Sequence, residues 1–124
     1  MVKKEVIDVM GQKAGPYSHA IKAGNFLFIS GQVPSPGTTG IRAQTLSAFI
    51  KIKNILEAAG ISVSNIIKIS VFLKNINDFK EMNVAYEEFF VQNGVIDKFP
   101  VRSTVEATSP LIDALVEIDA IAII

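Results

Sequence analysis

Residues 66–94 read IIKISVFLKNINDFKEMNVAYEEFFVQNG, and the period of the apolar residues changes partway through. In IIKISVFL (66–73) they alternate, which sets Ile67, Ile69, Val71 and Leu73 on one face of a strand. From Phe79 onward the spacing turns helical, with Phe79, Met82, Tyr86, Phe89 and Phe90 in one stripe. Asp78 and Glu81 fit a capping box that opens this helix, and Gly94 stops it. A strand followed closely by an amphipathic helix is the unit from which the rest of the chain is read.

Working outward, residues 44–59 repeat the helical pattern. Leu46, Phe49, Ile52, Leu56 and Ala59 recur at spacings of three and four, Ile50 and Ile55 widen the face, and Gly60 ends it. Upstream, residues 3–9 predict a first strand. AIKAGNFLFIS (20–30) predicts two short strands turning at Gly24-Asn25. PSPGTTG (34–40) is a loop of turn residues. Downstream, VRSTVEA (101–107) puts Arg102, Thr104 and Glu106 on one strand face and Val101, Ser103 and Val105 on the other. A turn with Ser109-Pro110 follows, then a last strand, VEIDAIAII (116–124), with Glu117 and Asp119 on one face. The order is strand, two strands, helix, strand, helix, two strands. Two helices covering one face of a mixed sheet is the economical α+β arrangement. The opposite face stays partly apolar and asks for a partner subunit.

Composition narrows the function classes. The 124 residues fit one domain spanning 1–124, with no internal repeat or linker. Hydrophobic residues make up 49% and mean hydropathy is +0.38, apolar for a small chain with limited interior. Burial between subunits accounts most simply for that excess. Twelve basic residues balance twelve acidic ones without a basic stripe, which argues against nucleic acid and against a membrane surface. The chain lacks cysteine, so disulfides, thiolate nucleophiles and Cys-ligated zinc are out, and a single histidine excludes a His-rich metal site. Residues 23–41 are uncharged, but four glycines and two prolines bar a membrane span. The opening MVKKEVID has no apolar core, so no signal peptide is expected. A soluble cytoplasmic protein is the expectation.

Cofactor and metal-binding motifs such as GxGxxG, the P-loop and HExxH do not occur, and no cofactor is expected. The histidine, His19, stands in GPYSHA (15–20) beside Tyr17 and Ser18. A serine triad would need it as base, but Ser30 lies in SGQ, without a nucleophile elbow. His19 therefore reads as a polar loop residue. Arg102 says more, because the chain has only two arginines and this one lies within an apolar strand. It needs an anion there. Two readings stay open: a planar fork for a carboxylate ligand, or a salt bridge to Glu117, Asp119 or Glu106. Glu117, between Val116 and Ile118, is either that structural partner or a general acid-base group whose pKa burial raises. Asn83, the one amide on the second helix's apolar stripe, caps a loop or faces an interface.

Taken together, GPYSHA, FISGQVP, NDFKEMNVAYEEFF, FPVRSTVEA and LVEIDAIA resemble the reactive intermediate deaminase family, also called the YjgF family, from about residue 3 to the end. The resemblance implies a chorismate-mutase-like α+β fold. It implies a homotrimer with a central barrel of sheets, helices outside and clefts between subunits. The implied activity is cofactor-free, metal-free hydrolysis of enamine and imine acids such as 2-aminoacrylate and 2-iminobutanoate to 2-oxo acids and ammonia. Arg102 falls on the arginine that grips the substrate carboxylate, and Glu117 on the glutamate that orients water. Tyr17, Ser30 and Gly31 fall on positions lining the cleft. Asn83 falls on the family's asparagine before the helix aromatics. Thr104 falls where many members carry cysteine, and the resemblance implies that its main-chain carbonyl acts there. The position of His19 is commonly glutamine. The loop after Gln32 is shorter than usual, and TSPLID (108–113) replaces a Leu-Pro block. Some relatives carry the label of endoribonuclease or translation inhibitor. That activity, or ligand binding without catalysis, is the alternative.

Overall fold

The computed structural model describes residues 3–11, 13–111 and 113–124. Met1, Val2, Gln12 and Ile112 lie outside the described residues, and with them parts of MVKKEVID and TSPLID. The strands are β1 (Lys4–Ile7), β2 (Ala20–Ala23), β3 (Phe26–Gln32), β4 (Ile66–Leu73), β5 (Val101–Glu106) and β6 (Val116–Ile123). The helices are α1 (Ile41–Ala58) and α2 (Phe79–Gln92). The predicted order holds: one sheet with two helices, a mixed α+β layer.

The sheet runs β1-β2-β3-β6-β4-β5, so the last strand inserts between β3 and β4. Every pairing is antiparallel except β4 with β5. Gly24-Asn25 makes the tight turn joining β2 and β3, with Ala23 opposite Phe26 and Gly24 at φ 59°, where a side chain would be strained.

Alternation decides which face is covered. Leu27, Ile29, Ile69, Val71, Leu73, Val116, Ile118, Ala120 and Ala122 are buried in the layer shared with the helices. Phe49 of α1 stacks on Phe89 of α2 at 4.6 Å between ring centres and meets Phe90 edge-on. These aromatic contacts join the helices over the sheet. The other face stays open, with Phe28 45% and Val101 68% exposed, and Phe26, Val105 and Ile123 exposed beside them. That is the uncovered apolar face expected from the sequence.

Three local expectations need correction. Ile67 was expected to point inward with Ile69, but the pairing of β4 with β6 shifts between Ile66 and Lys68. Ile66 takes the buried position and Ile67 is exposed, because a bulge reverses the alternation beyond it. Asp78 and Glu81 do not form a capping box. A 3₁₀ turn, Ile76–Asp78, leads directly into α2, and the Asn75 side chain accepts from the Asn77 amide instead. Glu81 turns to Arg42 of α1 in an exposed ion pair, which contributes little to stability. Helix α1 begins at Ile41 rather than near residue 44, with Thr45 Oγ1 donating to the Ile41 carbonyl. Gln44, buried within the first turn, donates to the carbonyls of Thr38 and Asp113 and accepts from the Leu115 amide at 2.7 Å. It thereby ties the loop after β3 to the approach to β6.

Candidate functional site

The residues singled out in the sequence fall into two groups on opposite faces of the sheet. Tyr17, Ser30, Gly31 and Glu117 line one hollow of about 460 Å³, walled by Val33, Pro110 and Leu111. Arg102, Thr104 and Asn83 lie at the other face, between the β5 edge and α2. Register fixes the division. Glu117 is level with Phe72 and Val105 on the open face, whereas Arg102 is level with Ile69 and Ala120 on the helix face.

The hollow owes its shape to irregular backbone. The β3–β6 register shifts between Ile29 and Gln32, which takes Ser30 and Gly31 out of the ladder. The Glu117 carboxylate occupies the space this opens: a Cβ on Gly31 would stand 2.3 Å from Glu117 Oε2. Ser109 Oγ is 3.4 Å from the other carboxylate oxygen, a long contact. The Ser30 hydroxyl donates to the Ser18 carbonyl at 2.6 Å, and the Ser30 amide donates to the His19 carbonyl. Ser30 thus ties the loop before β2 to β3. The Tyr17 hydroxyl accepts from the Ala14 amide at 3.1 Å, folding the GPYS turn against itself while its own proton stays available.

The Arg102 group is built from regular elements. One guanidinium nitrogen donates to Asn83 Oδ1 at 2.8 Å. The guanidinium carbon stands 4.7 Å from the Tyr86 ring centre and 5.5 Å from that of Phe79. The salt-bridge reading of Arg102 is overturned. No carboxylate lies within ion-pair range of it among the described residues. The reason is strand order: β5 pairs with β4 alone, which leaves β6 and its Glu117 and Asp119 a strand away on the opposite face. Glu106 accepts from the Ile76 amide instead. Of the two roles open to Asn83, the loop cap is not the one formed, since its carbonyl oxygen holds Arg102. The hydroxyls of Thr104 and Tyr86 are buried without a hydrogen-bond partner among the described residues. Burial pushes the Tyr86 phenol up to about 12, the Arg102 charge opposing the shift.

His19 lies in the loop before β2, as expected, and is buried there at 7% exposure. Its Nδ1 accepts from the Val9 amide at 3.0 Å, and its own amide donates to Asp8. That bond and the neighbouring Lys13 hold the Asp8 carboxyl below its usual range. No group of three or more acidic or histidine side chains is gathered to hold a metal among the described residues. Nor is any helix there long and apolar enough to cross a membrane. Sequence reasoning missed Tyr86 as the support under Arg102, because helical periodicity marks it as core. It also gave no role to Val33 of FISGQVP or to Pro110 and Leu111 of TSPLID, which wall the hollow.

Comparison with known proteins follows the same lines. The family model described as Endoribonuclease L-PSP matches residues 10–124. A RutC family protein of Pyrococcus horikoshii is 48% identical over 114 residues, 87% of this chain and 86% of that one. The 2-iminobutanoate/2-iminopropanoate deaminase of Escherichia coli is 40% identical over 114 residues, 88% of each chain. Among solved structures, the YjgF gene product of E. coli matches with a TM-score of 0.86 at 36% identity, covering 96% of this chain and 98% of that one. E. coli TdcF with bound serine matches at 0.87 and 33% identity, covering 97% and 98%. With nearly the whole length matched in sequence and in fold, the chain belongs to the endoribonuclease L-PSP family, the YjgF and RutC proteins its motifs resemble.

Proposed function

We propose that the protein hydrolyses short 2-imino and enamine carboxylic acids to 2-oxo acids and ammonia, in clefts completed between copies of a homotrimer. The observation that carries this reading is Arg102. Its guanidinium is oriented by Asn83 and two rings and has no carboxylate partner among the described residues. Such a fork offers bidentate hydrogen bonds to a ligand carboxylate. The deaminase name of the E. coli relative supports the same chemistry.

One chain keeps Arg102 and Glu117 on opposite faces. A cleft that uses both therefore takes the β5 edge of one copy and the Glu117 hollow of another. The exposed apolar face supplies surface for that assembly. Arg102 then holds the substrate carboxylate, and Asn83 keeps the fork in place. Glu117, pressed against the Gly31 backbone, accepts a proton from a water aimed at the imine carbon. The water oxygen bonds to that carbon to give a carbinolamine. Glu117 returns that proton to nitrogen, then relays the carbinolamine hydroxyl proton to nitrogen as well, so that the C–N bond breaks and ammonia leaves a carbonyl behind. Tyr17 offers its hydroxyl as a hydrogen-bond donor within the cleft. Orienting two reactants in this way lowers the barrier by several kcal/mol, up to about 7–11.

The test is ammonia release from freshly generated 2-iminobutanoate by the wild type and by Arg102→Ala, with light scattering on both. Turnover by a particle of about three times 13.4 kDa, lost in Arg102→Ala without loss of assembly, is the expected result. A fully active Arg102→Ala trimer overturns the assignment. RNA cleavage that co-purifies with the protein and depends on Arg102 moves the function to the nuclease alternative.

A further inference from the structure

A second hollow lies on the helix-covered side, between α1 and the segment after β1. It measures about 150 Å³ and is lined by Val9, Met10, Gly11, His19, Gln32, Lys51 and Asn54. We infer that this hollow binds a small oxyanion, a carboxylate or phosphate group, gripped by Lys51, His19 and Asn54.

Size comes first. A water takes about 30 Å³ of liquid, so the space suits a group of a few heavy atoms. Polarity comes second. The lining contains a lysine, a histidine and an asparagine amide, but no carboxylate. Lys51 makes no ion pair among the described residues, whereas Lys13 nearby is paired with Asp8 at 3.1 Å. Burial lowers the Lys51 pKa from its ordinary 10.5, the mark of an ammonium short of water. An anion would restore what solvent no longer supplies.

His19 adds direction. Because Nδ1 accepts the Val9 amide proton, the neutral ring carries its proton on Nε2. Nε2 has no bonded protein partner among the described residues, in a side chain that is 7% exposed. Asp8 lies outside the lining, with its Oδ1 3.4 Å from His19 Nδ1 on the ring edge away from Nε2. It is engaged by Lys13 and by the His19 amide. The hollow also backs directly onto the candidate cleft. The Ser30 amide donates to the His19 carbonyl at 2.9 Å, and Gln32 Nε2 donates to the Ser30 carbonyl at 3.0 Å. An occupant touching His19 and Gln32 is one hydrogen bond from Ser30.

The experiment is a two-dimensional amide NMR titration of the full chain with sodium phosphate and, separately, sodium acetate at constant ionic strength. Wild type, Arg102→Ala, Lys51→Met and Asn54→Ala are compared. Saturable shifts at Val9, Met10, Gly11 and His19 are expected in the wild type and in Arg102→Ala, which sets this site apart from the cleft. Lys51→Met should weaken binding by about tenfold or more, the scale of one charged hydrogen bond. Asn54→Ala should weaken it less, and it carries the test if Lys51→Met does not fold. Saturation by phosphate alone or acetate alone names the ligand, and saturation by both establishes the shared oxyanion chemistry. Linear drift with both salts, or unchanged affinity in both Lys51→Met and Asn54→Ala, overturns the site.

Discussion

The Glu117 hollow and the Arg102 platform are built by opposite means. The hollow is made of a β-bulge, two loops and hydroxyls tied to backbone, and its carboxylate stays half-exposed on the open face. The platform is made of a regular strand and a regular helix, with two rings and one amide fixing the guanidinium. The anchoring charge rests on rigid elements, and the groups around the reacting atoms sit on backbone that varies easily. Each region is incomplete by itself, and the proposed chemistry needs one of each.

The largest expected effect tests whether the two regions come from different copies. Arg102→Ala and Glu117→Gln should each be nearly inactive. Losing the carboxylate contact at Arg102 costs roughly 2–5 kcal/mol in transition-state binding. When the two variants are unfolded and refolded together, some clefts pair the intact platform of one chain with the intact hollow of the other. Random assembly makes about a quarter of the clefts whole, so activity should recover to about a quarter of wild type. Turnover of 2-iminobutanoate by the co-refolded mixture is the measurement. No recovery in a mixture shown by native mass spectrometry to contain mixed trimers would mean that each cleft draws on a single chain.

A smaller effect should follow from altering the hollow alone. Gly31 is not at positive φ, so alanine fits its backbone. The new Cβ, however, meets Glu117 Oε2 at 2.3 Å and its Cδ at 3.0 Å. The half-exposed side chain has room to swing away, so folding should survive while the carboxylate leaves its position. Displacing a catalytic group by about 1 Å costs on the order of a hundredfold in rate. Gly31→Ala should therefore lower kcat by about that factor with KM little changed, because Arg102 still holds the substrate. Wild-type kcat in this variant would remove Glu117 from the water-orienting role.

The two regions also differ in how far the sequence discloses them. Periodicity marked both helices, the Gly24-Asn25 turn and each strand, because alternation and helical spacing are local properties of the chain. Strand order is not local. Nothing in VEIDAIAII says that it inserts between β3 and β4, and the salt bridges considered from Arg102 to Glu117 and Asp119 failed on that point. The same limit hid the bulge at Ile67, which depends on the partner strand β6. Gln44 shows the limit again: its hydrogen bonds reach 69 and 71 positions along the chain. The site residues were legible through their motifs, but the division between two faces became visible only with the register.

The smallest predicted effect probes whether the platform is sealed. Tyr86 is 6% exposed, and its hydroxyl finds no hydrogen bond among the described residues. Tyr86→Phe keeps the ring under Arg102 and its edge contact with Phe49 at 5.4 Å while removing the stranded hydroxyl. An unpaired buried hydroxyl costs about 1–3 kcal/mol in desolvation, so its removal should leave stability unchanged or raise it by up to about 1 kcal/mol. For a chain of this size that is a melting point higher by about 4 °C. The pH dependence has a definite sign. The folded phenol titrates near 12 against an ordinary 10.0, so the folded state holds this proton more tightly than the unfolded chain does. That preference stabilises the wild type below about pH 10 and is lost as pH rises toward 12. The advantage of Tyr86→Phe should therefore widen across that interval. Thermal melts of both proteins at pH 8 and pH 10.5 make the comparison. A melting point lowered by several degrees in Tyr86→Phe would show that the hydroxyl gains a partner in the assembled protein, and that a second copy finishes the platform.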